Sequence, residues 1–437
     1  MLKWIFQLGN DKGNFQKHKF VKIFGFKIYL TNFALKPKFT LKQRYYKHLE
    51  NNINNDKSDF INITNTPYKA NGGRGRGGNV KLVAYYLPQF HAIPLNDENF
   101  GKGFTEWSNV TKAMPLFDGH YQPHLPYDVG FYDLSSDSIM YRQIELAKMY
   151  GIYGFCFYYY WFSGKRLLEK PIFNYLNNKE LNLPFCLCWA NESWSRLWDG
   201  GNKETMIEQK LLQKDDEKFF YDILPFFKDK RYIKIDDKPV LLIYNLKLFK
   251  KERIQRFIKT LKNLAQKEGL AGVFVLGVKS FDFEKQLEFG ADMAVEFPPH
   301  DMPNKFDFTI YPKYANKNAN GNYIFNINEY VKRGEYVKKQ DSSVFKCAFA
   351  GWDNTARKAK SGADIYLCLP SSYKIWLKNL ITWTKQNHKK ERQFVFINAW
   401  NEWAEGAHLE PDTRYGYAYL QATKEALEET SAQEAKS

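Results

Sequence analysis

The sequence predicts a (β/α)8 barrel preceded by a basic N-terminal extension. Three observations carry that prediction. After Asn79, eight short apolar bursts recur over about 340 residues, as expected for parallel strands buried on both faces. Helix-like stretches lie between most of them. No Gly-rich phosphate loop follows the first burst, where a doubly wound open sheet, the alternative, would carry one.

The elements follow in order. Residues 1–79 are set apart by composition. Phe20-Val-Lys-Ile-Phe-Gly-Phe-Lys-Ile-Tyr29 is apolar and basic, and reads either as a small hairpin around Gly25 or as an interfacial amphipathic element. Asn71-Gly-Gly-Arg-Gly-Arg-Gly-Gly78 reads as a flexible linker. The bursts are Val80–Tyr86, Gly154–Tyr160, Pro184–Trp189, Pro239–Tyr244, Gly272–Leu276, Ala291–Glu296, Val344–Phe349 and Gln393–Asn398. Ser138–Met149 and Lys251–Glu268 have helical periodicity, the second stopped by Gly269. A last helix, Tyr417–Glu429, closes the barrel. The domain reading is an extension and linker over 1–79, a barrel over 80–425 and a polar tail over 426–437.

Charge divides at the same boundary. The chain carries a formal +16, and its first 80 residues hold +11 of it, from 12 Lys and 3 Arg against 3 Asp and 1 Glu. The basicity therefore belongs to the leader, and residues 1–50 are expected to contact an anionic membrane surface. Two Arg-Gly repeats are too few to indicate nucleic-acid binding. The five cysteines are odd in number, three lie inside strongly apolar runs, and none has metal-ligand spacing, so they read as core residues in a reducing compartment. No run approaches the ~20 apolar residues of a membrane span. Met1–Leu8 is too short for a secretory signal. These points place the chain in the cytoplasm, peripheral to the inner membrane face.

In a barrel the chemistry lies at the C-terminal ends of the strands. The residues there are rich in carboxylates, amides and aromatic rings. The first burst leads to Tyr86, Gln89 and His91, and Glu106 and Trp107 follow in Gly103-Phe-Thr-Glu-Trp107. The second ends in Tyr160 and Trp161. The third leads to Trp189, Asn191, Glu192 and Trp194. Later bursts bring Tyr244, then Glu296, then Trp352. The eighth leads to Trp400, Asn401, Glu402, Trp403 and Glu405. Carboxylates beside Trp and Tyr suit glycosyl chemistry. Acids move protons at the leaving oxygen and support a cationic transition state, while aromatic faces hold the apolar side of a sugar.

Glu402 and Glu405 are the expected catalytic pair, and the other residues of this set are expected to bind substrate. In an extended segment the pair would stand ~10 Å apart. In a turn, i and i+3 approach to ~5–6 Å, and Gly406 favours a turn. A gap of ~5 Å suits direct attack and one of ~6.5–9.5 Å suits an intervening water. Glu192 is the competitor: Asn191-Glu192 follows the third burst much as Asn401-Glu402 follows the eighth. Glu296, stiffened by Phe297-Pro298-Pro299, reads as binding or structural, and Glu106 as a helix cap or hydroxyl ligand. His91, His120 and His124 are too scattered to argue for a metal, and no cofactor is expected.

Several segments resemble the WbsX-type proteins, also described as glycoside hydrolase family-99-like. They are Tyr86-Leu-Pro-Gln-Phe-His91, Gly101–Trp107, Gly119-His-Tyr-Gln-Pro-His124, Phe131-Tyr-Asp-Leu134, Trp189-Ala-Asn-Glu192 and Asn398–Glu405. The resemblance spans roughly residues 80–420. It implies a (β/α)8 barrel and a glycosyltransferase of O-antigen or capsule synthesis. The related family-99 hydrolases are endo-acting α-mannosidases and α-mannanases with a Glu-x-x-Glu pair. That pair maps onto Glu402, as base toward the 2-hydroxyl on the way to a 1,2-anhydro sugar, and Glu405, as acid/base toward the leaving group. Ala404 stands where those hydrolases have His. The leading expectation is a transferase acting on an oligosaccharide or lipid-linked glycan. A retaining endo-glycosidase is the alternative, and a non-catalytic glycan-binding protein the third.

Overall fold

The computed structural model describes residues 6–13, 16–23, 26–30, 80–116, 120–195, 204–281, 283–302, 323–337, 341–358 and 363–434. Two compact units divide the chain, one built on residues 1–55 and the other holding nearly all of 56–437. In the first, Phe6–Gly13, Gln16–Ile23 and Phe26–Leu30 form an antiparallel meander with Ile23 opposite Phe26. The hairpin reading around Gly25 therefore holds over its two strands. The predicted Gly/Arg linker lies outside the described residues.

The second unit is a closed parallel barrel. Its strands are β1 (Lys81–Tyr86), β2 (Ile152–Phe162), β3 (Phe185–Trp189) and β4 (Lys238–Ile243), then β5 (Phe274–Val278), β6 (Met293–Val295), β7 (Val344–Ala348) and β8 (Phe394–Ile397). Each pairs in parallel with the next, and β8 returns to β1 through Phe394 opposite Lys81. All eight apolar bursts are thus strands. The fifth begins two residues later than predicted because Gly272, at φ 118°, still belongs to the turn before it.

Helices Ser138–Met149 and Lys251–Lys267 form where their periodicity places them. The closing helix, Ala418–Glu434, runs past residue 425, and Ala426 and Leu427 are buried. The predicted tail is therefore helix to Glu434. Leu427 packs where a Cβ on Gly151 would stand, 2.5 Å from it, and Gly151 sits at φ 85°, so only glycine fits there.

Strand alternation decides which side chains reach the barrel interior. Tyr85 of β1 meets Tyr158 of β2, Phe396 of β8 and Phe297 inside the barrel. Its neighbour Tyr86 points the other way and donates to Gln143 of the Ser138–Met149 helix at 2.7 Å. All five cysteines are free and buried, as read from the sequence. A small three-stranded sheet flanks β7 in sequence, with Tyr323–Asn326 before it and Trp352–Asp353 and Asp364–Leu367 after it, and the short helix Thr355–Lys358 follows Trp352–Asp353 in the segment inserted after β7. Among the described residues no helix is long and apolar enough to cross a membrane.

Candidate active site

The C-terminal ends of the strands surround a cavity of about 460 Å3. β2 sends Tyr158 and Tyr160 into it, and the segments after β3 and β4 add Glu192, Trp194 and Tyr244. Phe297 and His300 enter after β6, Trp352 and Arg357 after β7, and Glu402 and Glu405 after β8.

The local sequence shapes the last of these segments. Asn401–Glu402 pairs antiparallel with Ala407–His408, and the 3-10 turn Trp403–Glu405 between them brings residues i and i+3 to one side. Gly406 ends the turn at φ 59°. A Cβ there would stand 3.0 Å from Asp353 and 3.2 Å from His124, so the turn is fitted closely against the β7 insertion. Asn401 pins the turn to the end of β1. Its Oδ1 accepts from Leu87 N at 2.7 Å, and its Nδ2 donates to Leu87 O at 3.0 Å. Behind the turn lies Glu410, which accepts from Gln143 Nε2 at 2.6 Å, Tyr132 OH at 2.9 Å, Trp400 Nε1 at 3.0 Å and Trp403 Nε1 at 2.6 Å.

The electrostatic centre is Arg357. Its Nε donates to Glu106 Oε1 at 2.8 Å, its Nη1 to Glu405 Oε1 at 2.6 Å and its Nη2 to Glu402 Oε2 at 3.1 Å. Burial pulls the arginine pKa down, but the three carboxylates outweigh it and raise it well above the usual value. Burial pushes the Glu402 carboxyl up to about 8. Arg357 opposes that rise, and Glu405 and Glu106 add to it. Burial therefore favours the protonated form of Glu402. Burial also raises Glu192, against a hydrogen bond from Asn245 Nδ2 at 3.1 Å.

Seven residues of the sequence-predicted set line the cavity: Glu402, Glu405, Tyr160, Glu192, Trp194, Tyr244 and Trp352. The rest do not line it. Tyr86, Trp161 and Trp189 fall on the outward strand face. Trp161 and Trp189 pack on Phe219 of the helix Asp215–Phe227. Asn191 bonds the backbone of Asn245, and Glu296 pairs with Lys346 Nζ at 2.6 Å. Glu106 opens the helix Glu106–Lys112 and is spent on Arg357 and Asn109. Trp107 donates to Tyr132 O, and the carbonyl of Gln89 accepts from Glu106 N at 2.9 Å. His91 faces Pro88 O at 3.0 Å. Trp400, Trp403 and Asn401 hold the β8 segment rather than line the cavity.

Sequence reasoning missed Tyr158, Phe297 and Arg357. Alternation with Tyr160 would have found Tyr158. Nothing in the spacing of Trp352-Asp-Asn-Thr-Ala-Arg357 marks the arginine.

His124 was read as too scattered from the other histidines to argue for a metal, and its partner His408 is distant in sequence. Among the described residues, His124, His408 and Asp412 place candidate metal-ligand atoms within 4.8 Å of one another. These atoms already have partners. His124 Nδ1 lies 2.9 Å from His408 Nε2, His408 Nδ1 lies 2.9 Å from Glu410 O, and Asp412 Oδ1 accepts from Arg414 N at 2.9 Å. Burial and His124 hold His408 well below the usual histidine pKa, so it is neutral. Its ring stacks on Trp403 at 3.9 Å, which makes the cluster a support for the Trp403–Glu405 turn.

Fold and cavity together define the class, an α/β barrel with the carboxylates and aromatic walls of glycan-active enzymes. The chain belongs to the WbsX glycosyltransferase family, whose model, described as "Glycosyltransferase WbsX", matches residues 82–423. Two curated relatives, each described as "Uncharacterized protein WxcX" from strains of Xanthomonas campestris pv. campestris, are 41% identical over 346 residues. The match covers 79% of this chain and 49% of theirs, so the chain spans about half the length of those relatives. A solved structure described as "Glycoside hydrolase-like protein" shares the fold, with TM-score 0.53 and 13% identity over 85% of this chain and 98% of that one. A GH99 endo-alpha-mannosidase from Bacteroides thetaiotaomicron superposes with TM-score 0.49 and 11% identity over 81% of this chain and 98% of its own.

Proposed function

We propose that the chain is a glycosyltransferase of cell-surface polysaccharide assembly, with Glu402 and Glu405 as its reacting carboxylates. The observation that carries this reading is that both acids face one aromatic-walled cavity while a single arginine bridges them. One carboxylate takes a proton from a sugar hydroxyl, and the other gives one to the leaving oxygen. The resemblance assigns base duty to Glu402. The raised carboxyl of Glu402 favours acid duty for it and base duty for Glu405. The substrate on this reading is an oligosaccharide or lipid-linked glycan.

The test supplies purified protein with lipid-linked oligosaccharide and candidate sugar nucleotides, and separately with α-mannan-type oligosaccharides. Extension of the lipid-linked chain is the expected result. Shortening of the mannan without extension would make the chain an endo-hydrolase. Binding without turnover on either would leave a glycan-binding protein.

Aromatic walls give the reading a second check. Trp352 lines the cavity and meets His300 edge-on at 5.3 Å. Trp352→Ala is expected to raise KM roughly tenfold, the scale of one lost ring contact. Trp161→Phe, on the outward face, should leave KM within experimental error. Equal effects from both would show that the cavity is not where the sugar lies.

The basic leader fits attachment to an anionic membrane surface. Deleting residues 1–70 is expected to weaken sedimentation with phosphatidylglycerol vesicles and to spare neutral ones. Unchanged sedimentation would rule out the leader as the anchor.

A further inference from the structure

Arg357 is joined to three carboxylates from two separate parts of the fold: Glu106 after β1, and Glu402 and Glu405 after β8. It is 8% exposed, so the contacts are poorly screened by water. The segment carrying it is itself held in shape. Asp353 Oδ1 accepts from Thr355 N at 3.0 Å and Thr355 Oγ1 at 2.6 Å, and Asn354 Oδ1 accepts from Asp364 N at 2.9 Å. The same Asp353 abuts Gly406 at the end of the catalytic turn. The arginine and the two glutamates are thus fixed to one packed seam between the β7 insertion and the β8 segment.

The pattern of contacts is selective. Arg357 takes Oε2 of Glu402 and Oε1 of Glu405. Among the described residues no hydrogen bond reaches the second oxygen of either, and both side chains line the cavity. A guanidinium is flat, and its nitrogens donate in fixed directions. Two carboxylates held by Nη1 and Nη2 of one such group are oriented relative to each other as well as to the protein. A lysine ammonium would neutralise charge without imposing that geometry.

We propose that Arg357 is the positioning residue of this site, anchoring one oxygen of Glu402 and one of Glu405 so that the second oxygen of each is aimed at the glycan. Glu106 completes the device by holding Nε, at the N-terminus of a helix whose dipole favours its charge. The inference rests on Glu402 and Glu405 being the reacting pair. The charged and titratable groups facing Glu402 are Arg357, Glu405 and Glu106, with the hydroxyls of Tyr158, Tyr160 and Tyr244 around them. Among these groups Arg357 is the cation, and it pulls the Glu402 pKa down.

The experiment compares Arg357→Lys and Arg357→Gln with the unaltered protein in the glycan-transfer assay. Glu402→Gln and Glu405→Gln run alongside. Expected for Arg357→Lys is a fall in kcat of roughly 100-fold with KM changed less than threefold, the scale of a small misplacement of reacting groups. Arg357→Gln, which removes the charge, should also move the alkaline limb of the pH–kcat profile upward. A readout independent of turnover is the carboxyl 13C titration of Glu402, assigned by its loss in Glu402→Gln. It should shift upward in Arg357→Gln.

A raised KM with unchanged kcat would make Arg357 a substrate ligand and overturn the proposal. Unchanged kcat, pH profile and titration would overturn it too, while leaving the pair intact if both glutamate variants are inert. Loss of cooperative melting in both arginine variants would assign Arg357 to stability and equally overturn it. Full activity in both glutamate variants would instead defeat the reading on which the inference stands.

Discussion

Glu402→Gln is expected to lower kcat about 1,000-fold, within the range of a lost acid–base group, with little change in melting temperature. Glutamine keeps the volume of a side chain that is 5% exposed and can still accept from Arg357 Nη2. Glu405→Gln should cost a similar factor. The two variants part on a donor with a good leaving group, such as an aryl glycoside. A leaving oxygen that departs unaided needs no acid, so the variant lacking the acid regains most of its rate and the variant lacking the base does not. The Glu402 carboxyl, pushed up to about 8 by burial, predicts recovery in Glu402→Gln. Recovery in Glu405→Gln instead would restore the assignment that the resemblance implies. Wild-type activity in both would remove the pair from the chemistry.

Glu410→Leu is expected to cost stability on the order of 5 kcal/mol and to lower the melting temperature by roughly 10 °C. The carboxylate is 1% exposed and serves four donors, from Gln143, Tyr132, Trp400 and Trp403. Leucine leaves all four buried without that acceptor. Two of the four donors, Trp400 and Trp403, flank Glu402 in sequence, so activity falls with stability. The pH dependence has a fixed sign. Burial raises the Glu410 carboxyl to about 7 and Glu402 to about 8, above the usual 4.5. Between those values the unfolded chain has released protons that the native state keeps, so stability declines as pH rises from about 4.5 to about 8 and then levels. Glu410→Gln removes one of these groups and should flatten the slope up to about pH 7. Chemical denaturation across this range checks both statements. An unchanged slope, or a melting temperature within 2 °C of wild type in Glu410→Leu, would show that the four donors find other partners.

The barrel was legible because its strands are buried on both faces, so each one prints as an apolar burst with a turn after it. Phe394–Ile397 and Phe274–Val278 need no partner to be recognised as strands. The same burial hides the alternation that would say which side chains face the cavity. In Tyr158-Tyr-Tyr-Trp161 every residue is aromatic, so hydropathy is silent. Only the closed sheet turns Tyr158 and Tyr160 inward and Trp161 outward. Of the two residues of this run read as binding, Tyr160 lines the cavity and Trp161 does not, while Tyr158, left out of that reading, lines it as well.

The polar residues divide in a similar way. Asn401, Trp400 and Trp403 stand beside Glu402 in sequence and were read as ligands, yet they brace the turn from behind. A turn that holds one buried and one half-buried acid needs that many anchors, and anchors and ligands draw on the same residue types. Glu106 was read as a helix cap or a hydroxyl ligand; it opens the helix Glu106–Lys112, and its carboxylate faces Arg357, a residue 251 positions away.

What the sequence determined by itself is the barrel, through eight apolar bursts, and the Glu402/Glu405 pair, whose i, i+3 spacing ahead of Gly406 is a local property of the chain. What only the tertiary structure decided is the electrostatic state of that pair. Arg357 reaches it through an insertion after β7, and the cavity wall opposite it comes from β2, β3 and β4. The physical reason is range. Periodicity and turns act over a few residues, whereas a carboxyl's pKa depends on burial and on charges brought within a few ångströms by parts of the chain that share no pattern.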